Sequence, residues 1–225
     1  MGMETAPSAL LSTAYFPPLS YLAQFLRFPE IVLEQWEHYQ KGSYRNRARI
    51  ATANGMLDLS VPLVKGKHQK MPIREVRVDY GQPWVKAHLD TLQSAYGKSP
   101  FYADYIAFLE PIFASKPLFL FDLNYAVLQK LLKWWRIQTP LSLSLAYTPA
   151  AATPSSVEDL RDVFSPKPGR SNAAETGVRT VSYPQVFEAR HGFVGDLSAL
   201  DLLFCTGPEG ILYLKESILP HAQLP

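Results

Sequence analysis

The densest concentration of groups able to do chemistry lies between residues 41 and 77. There nine basic side chains (Lys41, Arg45, Arg47, Arg49, Lys65, Lys67, Lys70, Arg74, Arg77) meet two acidic ones, Asp58 and Glu75. Within this stretch Tyr44-Arg45-Asn46-Arg47-Ala48-Arg49 puts arginines at alternate positions, so in an extended segment the three guanidinium groups share a face. A guanidinium fork matches phosphate or carboxylate through two parallel hydrogen bonds, which suits an anionic small molecule. Lys41, Tyr44, Arg45, Asn46 and Arg47 are therefore the candidate binding residues. The bland alternative is a solvated basic face paired with Glu30, Glu34 and Glu37.

A second cluster is Trp84 with His88, four residues apart and so on one face of a helix. An imidazole titrates near neutrality, which makes His88 the most attractive general base in the chain. Asp79 is the nearest carboxylate to orient it, and Trp84 is a surface on which a base or sugar ring packs. The alternative is a core histidine with its polar atoms satisfied. Among the other histidines, His38 belongs to the Tyr39 loop, His68 lies in a lysine-rich turn and His191 precedes a glycine.

Other signatures fail. No histidine spacing of a metal site occurs, no G-x-S-x-G nucleophile and no glycine-rich phosphate loop, so no metal or cofactor is implied. Cys205, in the apolar run Leu-Asp-Leu-Leu-Phe-Cys, reads as a small buried hydrophobe. Phosphate binding would then rest on Arg and Lys side chains or on a helix N-terminus, such as the turn Pro17-Pro18-Leu19-Ser20.

These residues need elements to hold them. Residues 10–15 are a short apolar run stopped by Pro17-Pro18, 20–28 carry helical spacing up to Pro29, and 31–33 read as a second strand, a β-α-β opening. Asn54-Gly55 between two strand-like arms predicts a hairpin over 49–64, and 76–80 reads as another strand. Helices are expected at 83–96, 102–114 and 118–136, then a strand at 141–145. Ser155 with Glu158 offers a capping box for a short helix at 156–164. A Pro-, Gly- and Ser-rich segment at about 165–180 is the expected flexible connection, before helices at 197–204 and 210–219. The fold class is α/β: a single domain, 1–225, with a mixed sheet flanked by helices and a helical C-terminal region.

Composition bounds the rest. The 225 residues are 47% hydrophobic and 19% charged, far from the composition of disordered chains. With 22 Lys+Arg against 20 Asp+Glu, a general grip on a nucleic-acid polymer is not expected. One cysteine precludes an internal disulfide and fits a reducing compartment. The N-terminus has no basic and apolar leader, and no run reaches the roughly 18 apolar residues of a membrane span, so a cytoplasmic, not membrane-spanning protein is expected.

The sequence resembles the WbqC-like protein family, and the likeness runs from about Leu10 to Leu214. It is carried by TAYFPPLSYLAQF, HYQKGSYRNRARIATANGMLDLSVPL, WVKAHLDTLQSAYGKSPFYADY, the FDLN of the long helix and FVGDLSALDLLFCTGPEG. Ser12-Thr13 stands where the family often has Gln-Pro, and Cys205 where a polar residue is expected. The resemblance implies a transferase of bacterial cell-surface polysaccharide (O-antigen-type) synthesis, moving glycine or another aminoacyl or acyl group to a nucleotide-linked sugar. On that reading Lys41, Arg45 and Arg47 hold the diphosphate, Tyr44 or Trp84 packs on base or sugar, and His88 takes a proton from the acceptor. The other class is a binding or assembly protein using the same basic groove for a sugar, a nucleotide or a partner enzyme.

Overall fold

The computed structural model describes residues 7–65, 71–167 and 173–220. Strand β1 (Ser8–Ser12), helix α1 (Leu19–Arg27) and strand β2 (Ile31–Glu34) form the β-α-β unit, with β1 and β2 parallel. Helix α1 starts behind Pro17-Pro18 and ends before Pro29, and its buried face carries Tyr21, Leu22 and Phe25. A hairpin comes next, β3 (Arg47–Thr52) and β4 (Gly55–Ser60). It closes at Asn54-Gly55, where Gly55 takes φ 108°, a value that a side chain resists.

Three helices follow, α2 (Trp84–Tyr96), α3 (Tyr102–Ala114) and α4 (Leu120–Trp134), with α3 packed on α4 and the Tyr96 hydroxyl of α2 bonded to Ala51 of the hairpin. The chain re-enters the sheet as β5 (Leu141–Leu143) and β6 (Val157–Asp159). Short α5 (Ala173–Thr176) and α6 (Glu188–His191) lead to α7 (Ala199–Thr206) and α8 (Gly210–Ser217). The main sheet has four parallel strands in the order β5-β2-β1-β6, and the antiparallel hairpin stands beside it. The result is the mixed α/β domain the sequence leads one to expect. Tyr15, Phe16, Tyr21, Phe25, Tyr96 and Phe204 are among the largest side chains wholly inside it.

Two local readings give way to tertiary structure. Residues 157–159 form a strand rather than a helix, because Ser8, Ala9 and Leu10 of β1 pair with Val157, Glu158 and Asp159 and claim the backbone groups a helix would use. Residues 76–80 make only isolated bridges, Leu63 with Val78 and Arg77 with Phe119, after a 3-10 turn at Ile73–Glu75. Residues 168–172 of the expected flexible segment lie outside the described residues. The chain around residues 177–179 is tied down: Arg179 N donates to Ser217 O and Leu219 N to Gly177 O. No helix among the described residues is long and apolar enough to cross a membrane.

Candidate functional site

The chain runs from β1 to β2 and β5 on one side of the sheet, and only then places β6 on the other side of β1. In a parallel sheet such a reversal opens a crevice beyond the carboxyl ends of the strands. A cavity of about 570 Å³ lies there. Its walls are the segments that leave each strand: Trp36, Glu37, His38, Tyr39, Gln40 and Lys41 after β2, Tyr147 and Ala150 after β5, and Asp159, Arg161 and Asp162 at and after β6.

The floor consists of paired charges. Glu34, fully buried, accepts from Trp36 N at 2.8 Å, Ser144 Oγ at 2.6 Å and Arg161 Nη1 at 3.3 Å. Arg161 also grips Asp159, from Nε at 2.9 Å and from Nη2 at 2.5 Å, and lies 5.2 Å from the Tyr147 ring centre. Burial alone would raise the Asp159 carboxyl, but the hydrogen bonds and charge of Arg161 outweigh it and hold the group low. Beside it Arg45 binds both oxygens of Glu37, at 2.8 and 2.5 Å. Burial pushes the Glu37 carboxyl up while Arg45 opposes. Three carboxylates, Glu37, Asp159 and Asp162, line the crevice against two cations, Lys41 and Arg161, so it is not the electropositive cradle expected from the charge run.

Part of the charge run is spent internally. Tyr44–Asn46 is a 3-10 turn rather than extended chain, so Arg45 leaves the face shared by Arg47 and Arg49 and pairs with Glu37. Arg49 pairs across the hairpin with Asp58 at 2.9 Å, and Arg74 lies over the Trp36 ring. Asn46 accepts from the Tyr39 hydroxyl and donates to Val61 O, while buried Tyr44 offers its carbonyl to Tyr15 N. Lys41, exposed at the crevice, and Arg47, in no salt bridge among the described residues, are the expected phosphate holders that keep a free cation.

His88 and Trp84 lie outside the crevice lining, on α2 beside the hairpin. His88 Nδ1 is 3.1 Å from the Tyr15 hydroxyl, and the ring bonds the backbone of Ser60. That second contact favours the protonated ring, but burial outweighs it and lowers the His88 pKa to about 4. Asp79 is no partner of this ring; its carboxylate accepts from Gly81 N at 2.8 Å. Trp84 packs edge-on to His88 at 5.1 Å and to Phe113 at 5.9 Å. The buried atoms Trp84 Nε1, Arg47 Nε and Asn124 Oδ1 have no hydrogen-bond partner among the described residues, though Asn124 Nδ2 donates to Arg45 O. The expected residues therefore form a band rather than one site, from Lys41 at the crevice through Arg45, Asn46 and Arg47 to His88.

Sequence reasoning missed Trp36, Tyr147, Arg161 and Asp162, which no local spacing connects. The signal available was positional, since each lies just after a strand of the parallel sheet. Ser12, one of the departures from the family opening, donates its hydroxyl to Arg161 O and so braces this floor. Cys205 is partly buried, and burial pushes its thiol up to about 12, which makes it a poor nucleophile. No group of three or more His, Cys, Asp or Glu fit to hold a metal occurs among the described residues.

The chain is 29% identical over 226 residues to the uncharacterized protein Rv1507c of Mycobacterium tuberculosis (strain ATCC 25618 / H37Rv), covering 92% of this chain and 96% of that one. No solved structure matches. The family model of the WbqC-like proteins matches residues 13–164, from the end of β1 through β6 and the whole floor of the crevice, and the chain belongs to the WbqC-like protein family.

Proposed function

We propose that the protein is a cytoplasmic transferase of bacterial cell-surface polysaccharide (O-antigen-type) synthesis that moves glycine or another aminoacyl or acyl group onto a nucleotide-linked sugar. The observation that carries the reading is the crevice at the reversal point of the parallel sheet, where Trp36 and Tyr147 supply ring faces and His38, Lys41 and Asp162, exposed above the paired charges of the floor, supply donors and acceptors. Such a lining suits a polyol: aromatic faces pack on sugar C–H groups while ionised groups bind the hydroxyls. The diphosphate falls to Lys41 and Arg47, because Arg45 is held by Glu37. His38, exposed on the crevice wall, is the imidazole that can reach an acceptor group, whereas His88 with Asp79 is the pair expected from sequence.

A non-catalytic binding or assembly role at the same crevice is the second reading. It is favoured by one observation: His88 Nδ1 and the floor carboxylates Glu34, Glu37 and Asp159 are already engaged within the protein. Thermal shift against nucleotides, nucleotide sugars and inorganic phosphate tests the shared part, since a ligand at 100 times its dissociation constant stabilises by about 2.7 kcal/mol. A shift given by nucleotide sugars and lost in Lys41→Ala and Arg47→Ala supports the reading, and no shift with any of them overturns it. Group transfer to the bound sugar, abolished in His38→Ala or His88→Ala with binding kept, separates enzyme from binding protein.

A further inference from the structure

A second cavity, of about 120 Å³, lies among the first turn of α1, the Asp196 turn, the 176–183 segment and α8. Its walls are held together by backbone bonds. Leu19 N donates to Leu197 O and Ala199 N to Pro17 O, so the 196–199 segment is laced onto the start of α1. On the far side Val178 bridges to Ile218 and Arg179 N donates to Ser217 O, which pins the covering segment to the end of α8. Asp196 sits at φ 53°, in the left-handed region that Asp tolerates better than most residues.

Asp196 lines this cavity and takes its hydrogen bonds from one residue, Ser20, whose N donates to Oδ1 at 2.8 Å and whose Oγ donates to Oδ2 at 2.9 Å. A carboxylate has about four acceptor positions, so capacity remains. No cation pairs with it among the described residues: Arg179, the cation of the same wall, reaches Glu216 instead at 3.4 Å. The apolar walls are Leu19, Val178, Val181, Leu202 and Leu214, together with Tyr183 and Tyr213, whose rings meet edge to face at 5.9 Å, and Thr176, Thr180 and Ser217 complete the lining. Consistently, burial pushes the Asp196 carboxyl up to about 6, against the two Ser20 bonds that lower it.

We propose that this cavity is a binding site for a small organic ammonium, a primary amine of about four to six heavy atoms whose charge pairs with Asp196 and whose body lies against the tyrosines and aliphatic walls. The carboxylate supplies the countercharge, the two aromatic rings add attraction for a cation, and an ammonium brings three donors to acceptors that are unfilled. The size is set by the volume, since a dry cavity of roughly 150 Å³ accommodates benzene. The site is separate from the crevice and does not depend on what the crevice binds.

The experiment uses the full chain with propylammonium as probe and 1-propanol and acetate as controls, read by thermal shift and by calorimetric titration. Saturable binding of propylammonium but of neither control is expected. Asp196→Asn keeps an acceptor for Ser20 while removing the charge, and should weaken binding about tenfold or more with cooperative unfolding intact. Val181→Phe fills the cavity without touching the carboxylate and should abolish binding, which keeps the test decisive if Asp196→Asn fails to fold. Absence of saturable binding to the wild type, or equal binding by either variant, overturns the proposal and leaves Asp196 as a cap on α1.

Discussion

The crevice floor and the Asp196 cavity both hold partly or wholly buried carboxylates, yet they treat them differently. In the crevice Glu34 and Asp159 share Arg161, and Glu37 is held by Arg45 through two bonds. In the cavity Asp196 has only the neutral donors of Ser20. A buried charge that already has its partner is committed to holding the fold, whereas one without a countercharge keeps the capacity to bind something else. The floor of the crevice is thus scaffold, and the exposed residues above it are His38, Lys41, Tyr147 and Asp162.

The largest test of that contrast is Arg161→Met. It strands the fully buried Glu34 without a cation, and the expected loss is about 3–5 kcal/mol in denaturant unfolding. Adding Glu34→Gln should recover part of it. Asp196→Asn, which strands nothing, should change stability by no more than about 1 kcal/mol.

Next comes His88→Phe. It leaves the Tyr15 hydroxyl and the Ser60 backbone without their partner, for an expected loss of about 1–3 kcal/mol. The same residue sets a pH dependence. Its folded pKa of about 4 lies below the usual 6.5, so the unfolded chain takes the proton first. Its contribution is complete above pH 6.5 and is lost as the pH falls toward 4. Asp196 acts in the opposite sense, because its folded pKa of about 6 exceeds the usual 3.8. Its unfavourable contribution is complete above pH 6 and disappears as the pH falls toward 3.8. Unfolding measured across this window should show a steeper acid loss in Asp196→Asn and a shallower one in His88→Phe.

The smallest effects belong to exposed cations. Lys41→Ala should leave stability within about 0.5 kcal/mol of wild type while removing the thermal shift given by nucleotide sugars. Lys86→Ala breaks an exposed pair with Asp90 one helical turn away, and should cost no more than about 0.5 kcal/mol with the ligand shift unchanged.

Much of the frame was legible locally. Pro17-Pro18 and Pro29 bracket α1, Asn54-Gly55 closes the hairpin, and the periodicity of 118–136 contains α4, because turn chemistry and helical spacing act over a few residues. The site was less legible. Lys41 reached the crevice as part of the basic run, but Arg161 lies 127 positions from Glu34, and nothing in either neighbourhood points to the other. Val157–Asp159 read as helix because a three-residue strand is too short to show alternation, and its pairing with β1 is wholly non-local.

By itself the sequence determined the composition of a folded domain, the order and type of its main elements, the hairpin turn and the family likeness. The tertiary structure alone decided which charges are consumed and which remain. Arg45 and Arg47 are two positions apart in one motif, yet one is locked in a buried pair with Glu37 and the other is in no salt bridge among the described residues. The reason is that local periodicity carries the backbone, while a charge is neutralised by whatever lies within a few ångströms in space, and Coulombic partners across a sheet edge leave no mark on the spacing along the chain.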